Sequence, residues 1–183
     1  MTRTAKIVLI VVGSIVVIAL GLGVAAWRFI ANNFTTEPAA VSAIGQEIIP
    51  HELPEGYEGE FGTDLFGFKV MMAVDGFGTE SMIMLLSIPD GGTDADLRSA
   101  SRDQLSSQRG TNLDFEYVGT KDISIRGTEV SLDRYEGTDG GITFAQEIAI
   151  FPAADGKAGL LMLFSDVDLY DESGFEQFLK SLE

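Results

Sequence analysis

The chain has 183 residues, no cysteine, one histidine, and 28 acidic against 12 basic side chains, for a net charge of −16. Without cysteine there is no disulfide, zinc–thiolate site, thiol nucleophile or lipid carried on an N-terminal cysteine. The single His51 rules out a multi-histidine metal site, and the acidic balance opposes binding to nucleic acid or anionic headgroups.

The charge is unevenly distributed. All the acids lie beyond Arg28, and Arg3, Lys6 and Arg28 are the only basic residues up to that point. Between Lys6 and Arg28 runs an uncharged stretch of 21 residues, 7–27, in which Ser14 is the one ordinary polar side chain. As a helix it would span about 31 Å, close to the ~30 Å hydrocarbon core of a bilayer, whereas a secretory core is usually about 7–15 residues. The sequence therefore predicts a transmembrane helix over 7–27. Trp27 and Arg28 suit its interfacial end, although the small residues Gly23, Val24, Ala25 and Ala26 also read as a cleavage site. Arg3 and Lys6 place residues 1–6 in the cytoplasm. The rest of the chain, at −19, would then lie outside the cell membrane, in the periplasm of a Gram-negative cell. Ala19/Gly23 and Gly21/Ala25 would permit weak self-association through this helix.

Residues 28–47 are small, polar and interrupted by Pro38 and Gly45, which reads as a tether. A single extracytoplasmic domain is expected over 48–183. It opens with a Pro/Gly-rich loop, "HELPEGYEG", that places His51 at the surface. Strands are expected at 66–74 and 81–88, turned by Asp75-Gly76 and Gly78; the second, "MIMLLSI", is apolar enough to need cover on both faces. A surface helix is expected over 93–110, capped by Thr93 with Asp96 and ended by Gly110. Further strands follow at 113–119, 122–137 (bent near Gly127), 141–152 and 157–167, the last three as an antiparallel meander. Ile142, Phe144, Ile148 and Ile150 share one face of the third, with Gln146 interrupting the apolar row. Phe175, Phe178, Leu179 and Leu182 fall on one side of a closing helix, with Ser173 and Glu176 as a capping box.

This order of hairpin, helix, meander and amphipathic helix is α+β. It resembles the Mog1/PsbP-like family through "HELPEGYEG", "FKVMMAV…MIMLLSIP", "VGTKDISIRGTEVSLDRYEG" and "GFEQFLKSL", with Gly119, Gly127 and Ser181 at matching places. The resemblance implies an α/β/α sandwich around a mostly antiparallel sheet, here preceded by the transmembrane helix. It implies no reaction and no functional residue, because members of the family serve different roles.

Two constellations offer chemistry. Met71, Met72, Met82 and Met84 cluster on the first hairpin, and thioethers are soft ligands suited to Cu(I), though methionine also fills cores. Asp166, Asp168, Asp171 and Glu172, and separately Asp90, Asp94 and Asp96, are oxygen clusters of the kind that bind Ca²⁺. Neither has the spacing of a twelve-residue calcium loop, and acids at a helix start also have a capping role. No Gly-rich phosphate loop is present. The expected function is that of a non-enzymatic, membrane-tethered domain that contacts an envelope protein or stabilises an assembly, with no cofactor and no nucleic acid. The alternative is an ion- or ligand-binding domain using the acidic loops or the methionine hairpin.

Overall fold

The computed structural model describes residues 33–76, 81–89 and 115–182. The chain divides into two compact units, Met1–Phe34 and Thr35–Glu183; only Asn33 and Phe34 of the first are among the described residues. The second unit is built on a sheet. In chain order the elements are β1 (Phe34–Thr35), α1 (Pro38–Ile48), β2 (Tyr57–Leu65), β3 (Phe68–Asp75), β4 (Met82–Ile88), β5 (Glu116–Ile125), β6 (Thr128–Asp139), β7 (Ile142–Pro152), β8 (Ala158–Asp166), a 3₁₀ turn (Val167–Leu169) and α2 (Glu172–Ser181). The strands form one eight-stranded sheet in the order β1-β2-β3-β4-β8-β7-β6-β5. Two antiparallel meanders, β2-β3-β4 and β5-β6-β7-β8, meet where β4 pairs antiparallel with β8.

Period-2 alternation sorts the sheet into two faces. On one, Met71, Ala73, Ile83, Leu85, Ile123, Ile125, Leu132, Ala149, Phe151, Leu161 and Leu163 form a buried layer with Val41 and Ile48 of α1 and Phe175, Phe178 and Leu182 at α2. On the other, Tyr135, Ile148, Ile150 and Leu160 form a smaller cluster joined by Leu86, Phe115 and Met162.

These facts correct the expected α/β/α sandwich. Among the described residues there are two α-helices, and both bury their apolar stripes in the same layer on the same face of a mostly antiparallel sheet. The helix expected over 93–110 lies outside the described residues, and so does the expected transmembrane helix over 7–27. Among the described residues no helix is long and apolar enough to cross a membrane.

Three further readings change. The expected tether contains α1, a helix with Pro38 in its first turn and Val41, Gly45 and Ile48 buried at a helical spacing. β2 lies where the sequence suggests only a loop. Its inward positions include Gly59 and Gly62, and α1 packs directly over them: a Cβ at Gly59 would stand 2.8 Å from Val41 Cβ, and one at Gly62 3.0 Å from Ile44 Cδ1. Interior positions without side chains carry no hydrophobic signal, so the alternation is hidden. The "bent" strand is instead the β5–β6 hairpin, turned by Arg126-Gly127 with φ of 51° and 70°. A tight hairpin turn of this type needs two left-handed residues, and arginine gives no sequence cue for that. Arg126 is held there by its N–H to the Leu182 carbonyl and its guanidinium to the Ala153 carbonyl, both at 3.0 Å.

His51 is buried rather than exposed. Its ring lies edge-on to Phe178, its Nδ1 donates to the Ile49 carbonyl at 2.8 Å, and its Nε2 has no partner. Burial lowers its pKa below the ordinary value, against the opposing pull of the Ile49 carbonyl.

Two outcomes follow. Gly59→Ala pushes a methyl into Val41 and should cost about 1–3 kcal/mol of stability in urea unfolding of the detergent-solubilised chain. Because the folded state binds fewer protons at His51 than the unfolded state, its contribution is complete above the unfolded pKa of 6.5 and is lost as pH falls through the lower folded pKa. His51→Phe should flatten the pH dependence of the melting temperature in that window.

Candidate functional site

The helix face is not closed where α2 approaches β5. Between them opens a cleft of about 290 Å³ with Leu132, Phe175 and Leu179 as its apolar floor, Gly119, Thr120 and Lys121 of β5 on one wall, and Glu172 and Glu176 of α2 on the other. A second hollow lined by Ile123, Ser124 and Lys180 shares Lys121, Glu176 and Leu179 with the first, so the two form one groove along the β5–α2 seam.

Local chemistry sets the groove. The β5–β6 register slips between Tyr117 and Gly119, and Tyr117, Thr120 and Asp133 are tied by hydroxyl bonds of 2.6 Å and 2.6 Å. A Cβ at Gly119 would meet nothing within 4 Å, so this wall is open. α2 is fixed at its start by Asp171, whose side chain accepts from Gly174 N–H at 3.0 Å and the Ser173 hydroxyl at 2.9 Å. Those two donors hold the Asp171 carboxyl below its usual pKa. The cap is thus Asp171 rather than Ser173. Glu176 turns outward to Lys121 at 3.7 Å and Lys180 at 3.8 Å.

A polar knot closes the inner end. Glu147, 8% exposed, stands on the inward face of β7 directly opposite Arg134 of β6. Arg134 donates to Glu147 at 3.1 Å and to Glu136 at 3.0 Å and 2.8 Å. The Tyr170 hydroxyl donates to the other Glu147 oxygen at 3.1 Å, and the Arg134 guanidinium lies 5.1 Å over the Tyr170 ring, a cation–π contact. Burial and the Glu147 carboxylate both push the Tyr170 phenol far above its ordinary pKa, so it stays a donor at any physiological pH. Burial alone would lower the Arg134 pKa; its bond to Glu136 and the nearby charge of Glu147 more than reverse that, and it stays charged. The knot is a fixed arrangement of paired groups rather than a reactive set.

The residues singled out from sequence fall elsewhere. Asp166 caps the 3₁₀ turn by accepting from Asp168 N–H at 2.9 Å, Asp168 is exposed, and Asp171 caps α2. Among the described residues no group of three or more His, Asp or Glu side chains is placed to hold a metal. Asp90, Asp94 and Asp96 lie outside the described residues. The methionine hairpin is split by the pleat: Met71 is fully buried on the helix face, while Met72, Met82 and Met84 point to the opposite one. Nothing in the sequence pattern points to the groove, because Lys121, Arg134 and Glu147 come from three separate strands and Tyr170 from the link between the 3₁₀ turn and α2.

No family model matches the chain, and the resemblance to the Mog1/PsbP-like family is not confirmed. No curated protein matches it. One solved structure that is similar is that of LpqN, described as involved in cell envelope biogenesis of Mycobacterium tuberculosis. It covers 73% of this chain and 76% of its own at 12% identity and a TM-score of 0.31, a likeness that carries neither fold detail nor role across.

The knot makes a measurable claim. Arg134→Met leaves Glu147 charged, buried and short of a partner, and should cost about 2–4 kcal/mol in urea unfolding. Arg134→Met with Glu147→Leu removes both charges and should cost less than the two single changes added together, by at least about 1 kcal/mol.

Proposed function

We propose that this chain is a non-enzymatic, envelope-associated binding module whose β5–α2 groove receives a cationic segment of another envelope protein. The uncharged run 7–27 would hold it at a bilayer with the acidic remainder on the extracytoplasmic side. The observation that carries the reading is the state of the charged groups in the groove. Arg134 is already neutralised by two carboxylates, Glu136 and Glu147, which leaves that knot one negative charge in surplus, while Glu172 and Glu176 of α2 are matched in number by Lys121 of β5 and Lys180 of α2, both beside Glu176. What is left to offer a partner is an apolar floor under a slight excess of negative charge, with the long-range field of an acidic protein behind it. Against catalysis stands the absence of any cysteine and the position of the one histidine, enclosed beside Phe178 and away from the groove.

The test is site-specific photocrosslinking in native membranes. Full-length chain carrying Lys121→p-benzoylphenylalanine in the groove should give an adduct of one defined mass that Glu176→Lys abolishes. The same probe at the exposed Glu129 should not give it. Equal adducts from both positions, or adducts of the chain only with itself, would remove this reading.

A further inference from the structure

The sheet face opposite the helices holds a row of thioethers. Four of the chain's six methionines stand on it: Met72 of β3, Met82 and Met84 of β4, and Met162 of β8. The register aligns three of them. Met72 is paired directly with Met84, and Met84 directly with Met162. Directly opposed side chains of an antiparallel pair have Cβ atoms about 4.5–5.5 Å apart, so three sulfur-bearing chains lie abreast across three adjacent strands. Methionine is unbranched with three rotatable bonds, which lets the outer two lean towards the middle one.

Two features separate this row from ordinary core packing. Each of the three is only half-buried, whereas Met71, one position along β3, is fully buried on the other face. A polar side chain also serves the row. Gln146 of β7, 5% exposed, directs its Nε2 at Met162 Sδ, 2.8 Å away. A thioether is a weak acceptor and a poor return for burying a carboxamide, but the contact fixes where that sulfur points. This is the same Gln146 that interrupts the apolar alternation of β7 in the sequence.

Thioether donors select soft cations, and among biological metals that means Cu(I). We propose that Met72, Met84 and Met162 form a Cu(I)-binding site on the sheet face opposite α1 and α2, with Gln146 as a positioning residue that orients the Met162 sulfur. The site lies on the opposite face from the groove and is independent of it. Ligation is by three neutral sulfurs, so binding releases no proton and should be nearly independent of pH between 6 and 8.

The experiment uses full-length protein in detergent, titrated anaerobically against the coloured Cu(I) complex of bicinchoninate. The wild type should withdraw one equivalent of copper. Met84→Leu, which keeps the volume and removes the central sulfur, should weaken withdrawal at least tenfold, and Met71→Leu should leave it unchanged. A thermal melt of each metal-free variant separates lost ligation from lost folding; should Met84→Leu fail to fold, Met162→Leu takes its place. As a second readout, Ag(I) added to protein carrying ¹³C-methyl methionine should shift the Met72, Met84 and Met162 methyl signals and leave Met71 in place. Absence of copper withdrawal, withdrawal by Met84→Leu equal to wild type, or unmoved methyl signals would each overturn the site.

Discussion

The structure depends on one shared layer of apolar side chains, in which the first and last helices of the folded unit meet above the same sheet face. Ile48 at the end of α1, Phe178 of α2 and the sheet residues Met71, Leu85 and Leu161 belong to one cluster. The chain between α1 and β2 runs into that layer rather than around it. His51 sits against Phe178, Glu52 N–H donates to the Ser181 hydroxyl at 2.9 Å, and the Ile48 carbonyl accepts from Ala154 at 2.8 Å. Ends far apart in sequence are therefore bonded through a single interface. Loosening α1 removes cover from α2, and the reverse holds too. Of the described core, this is the part whose loss cannot stay local.

That dependence explains which parts of the fold were legible. The β3–β4 hairpin, the β6-β7-β8 meander and α2 all bury ordinary apolar side chains at the spacing their element demands. Leu161 and Leu163, or Phe175 and Phe178, announce themselves. β2 and α1 meet instead through absent side chains. Gly59 and Gly62 allow the close approach of Val41 and Ile44, and a glycine contributes nothing to a hydrophobic pattern. The sandwich expectation failed for a related reason. Periodicity tells how wide a helix's apolar stripe is, not which face of a sheet it covers, and α1 and α2 both cover the same one.

The groove was illegible for a different reason. Its polar groups are meaningful only as a set, and Arg134, Glu147 and Tyr170 are spread over 37 residues of sequence, on two strands and a connecting residue. No spacing rule joins them; the β6–β7 register sets Arg134 opposite Glu147, and the turn after β8 brings the Tyr170 hydroxyl to the same carboxylate. The acids that stood out in the sequence, Asp166 and Asp171, proved to be caps, a role that their place before short helical turns already allowed. The methionines lie between these cases. Clustering along the sequence flagged Met71, Met72, Met82 and Met84, but a strand sends neighbouring residues to opposite faces, so Met71 leaves the set. Met162, from a distant strand, enters through its pairing with Met84.

The sheet thus keeps two kinds of polar chemistry apart. On the helix face, buried Glu147 has Arg134 on one oxygen and Tyr170 on the other, and Glu172 and Glu176 stand at the rim of the groove, Glu176 beside Lys121 and Lys180. On the other face, the three aligned methionines carry no charge, and the buried amide beside them ends on a sulfur. The first surface presents charged groups at its rim, and the second a row of neutral thioethers with the buried carboxylate of Asp133 two strands away. Of the strands that separate them, β7 is buried on both faces, with Glu147 and Gln146 adjacent in it yet pointing in opposite directions. A one-residue slip of β7 would exchange them. It would strand a carboxylate among thioethers and an amide opposite Arg134, so the register of this central strand is held by the polar demands of both faces as well as by its isoleucines.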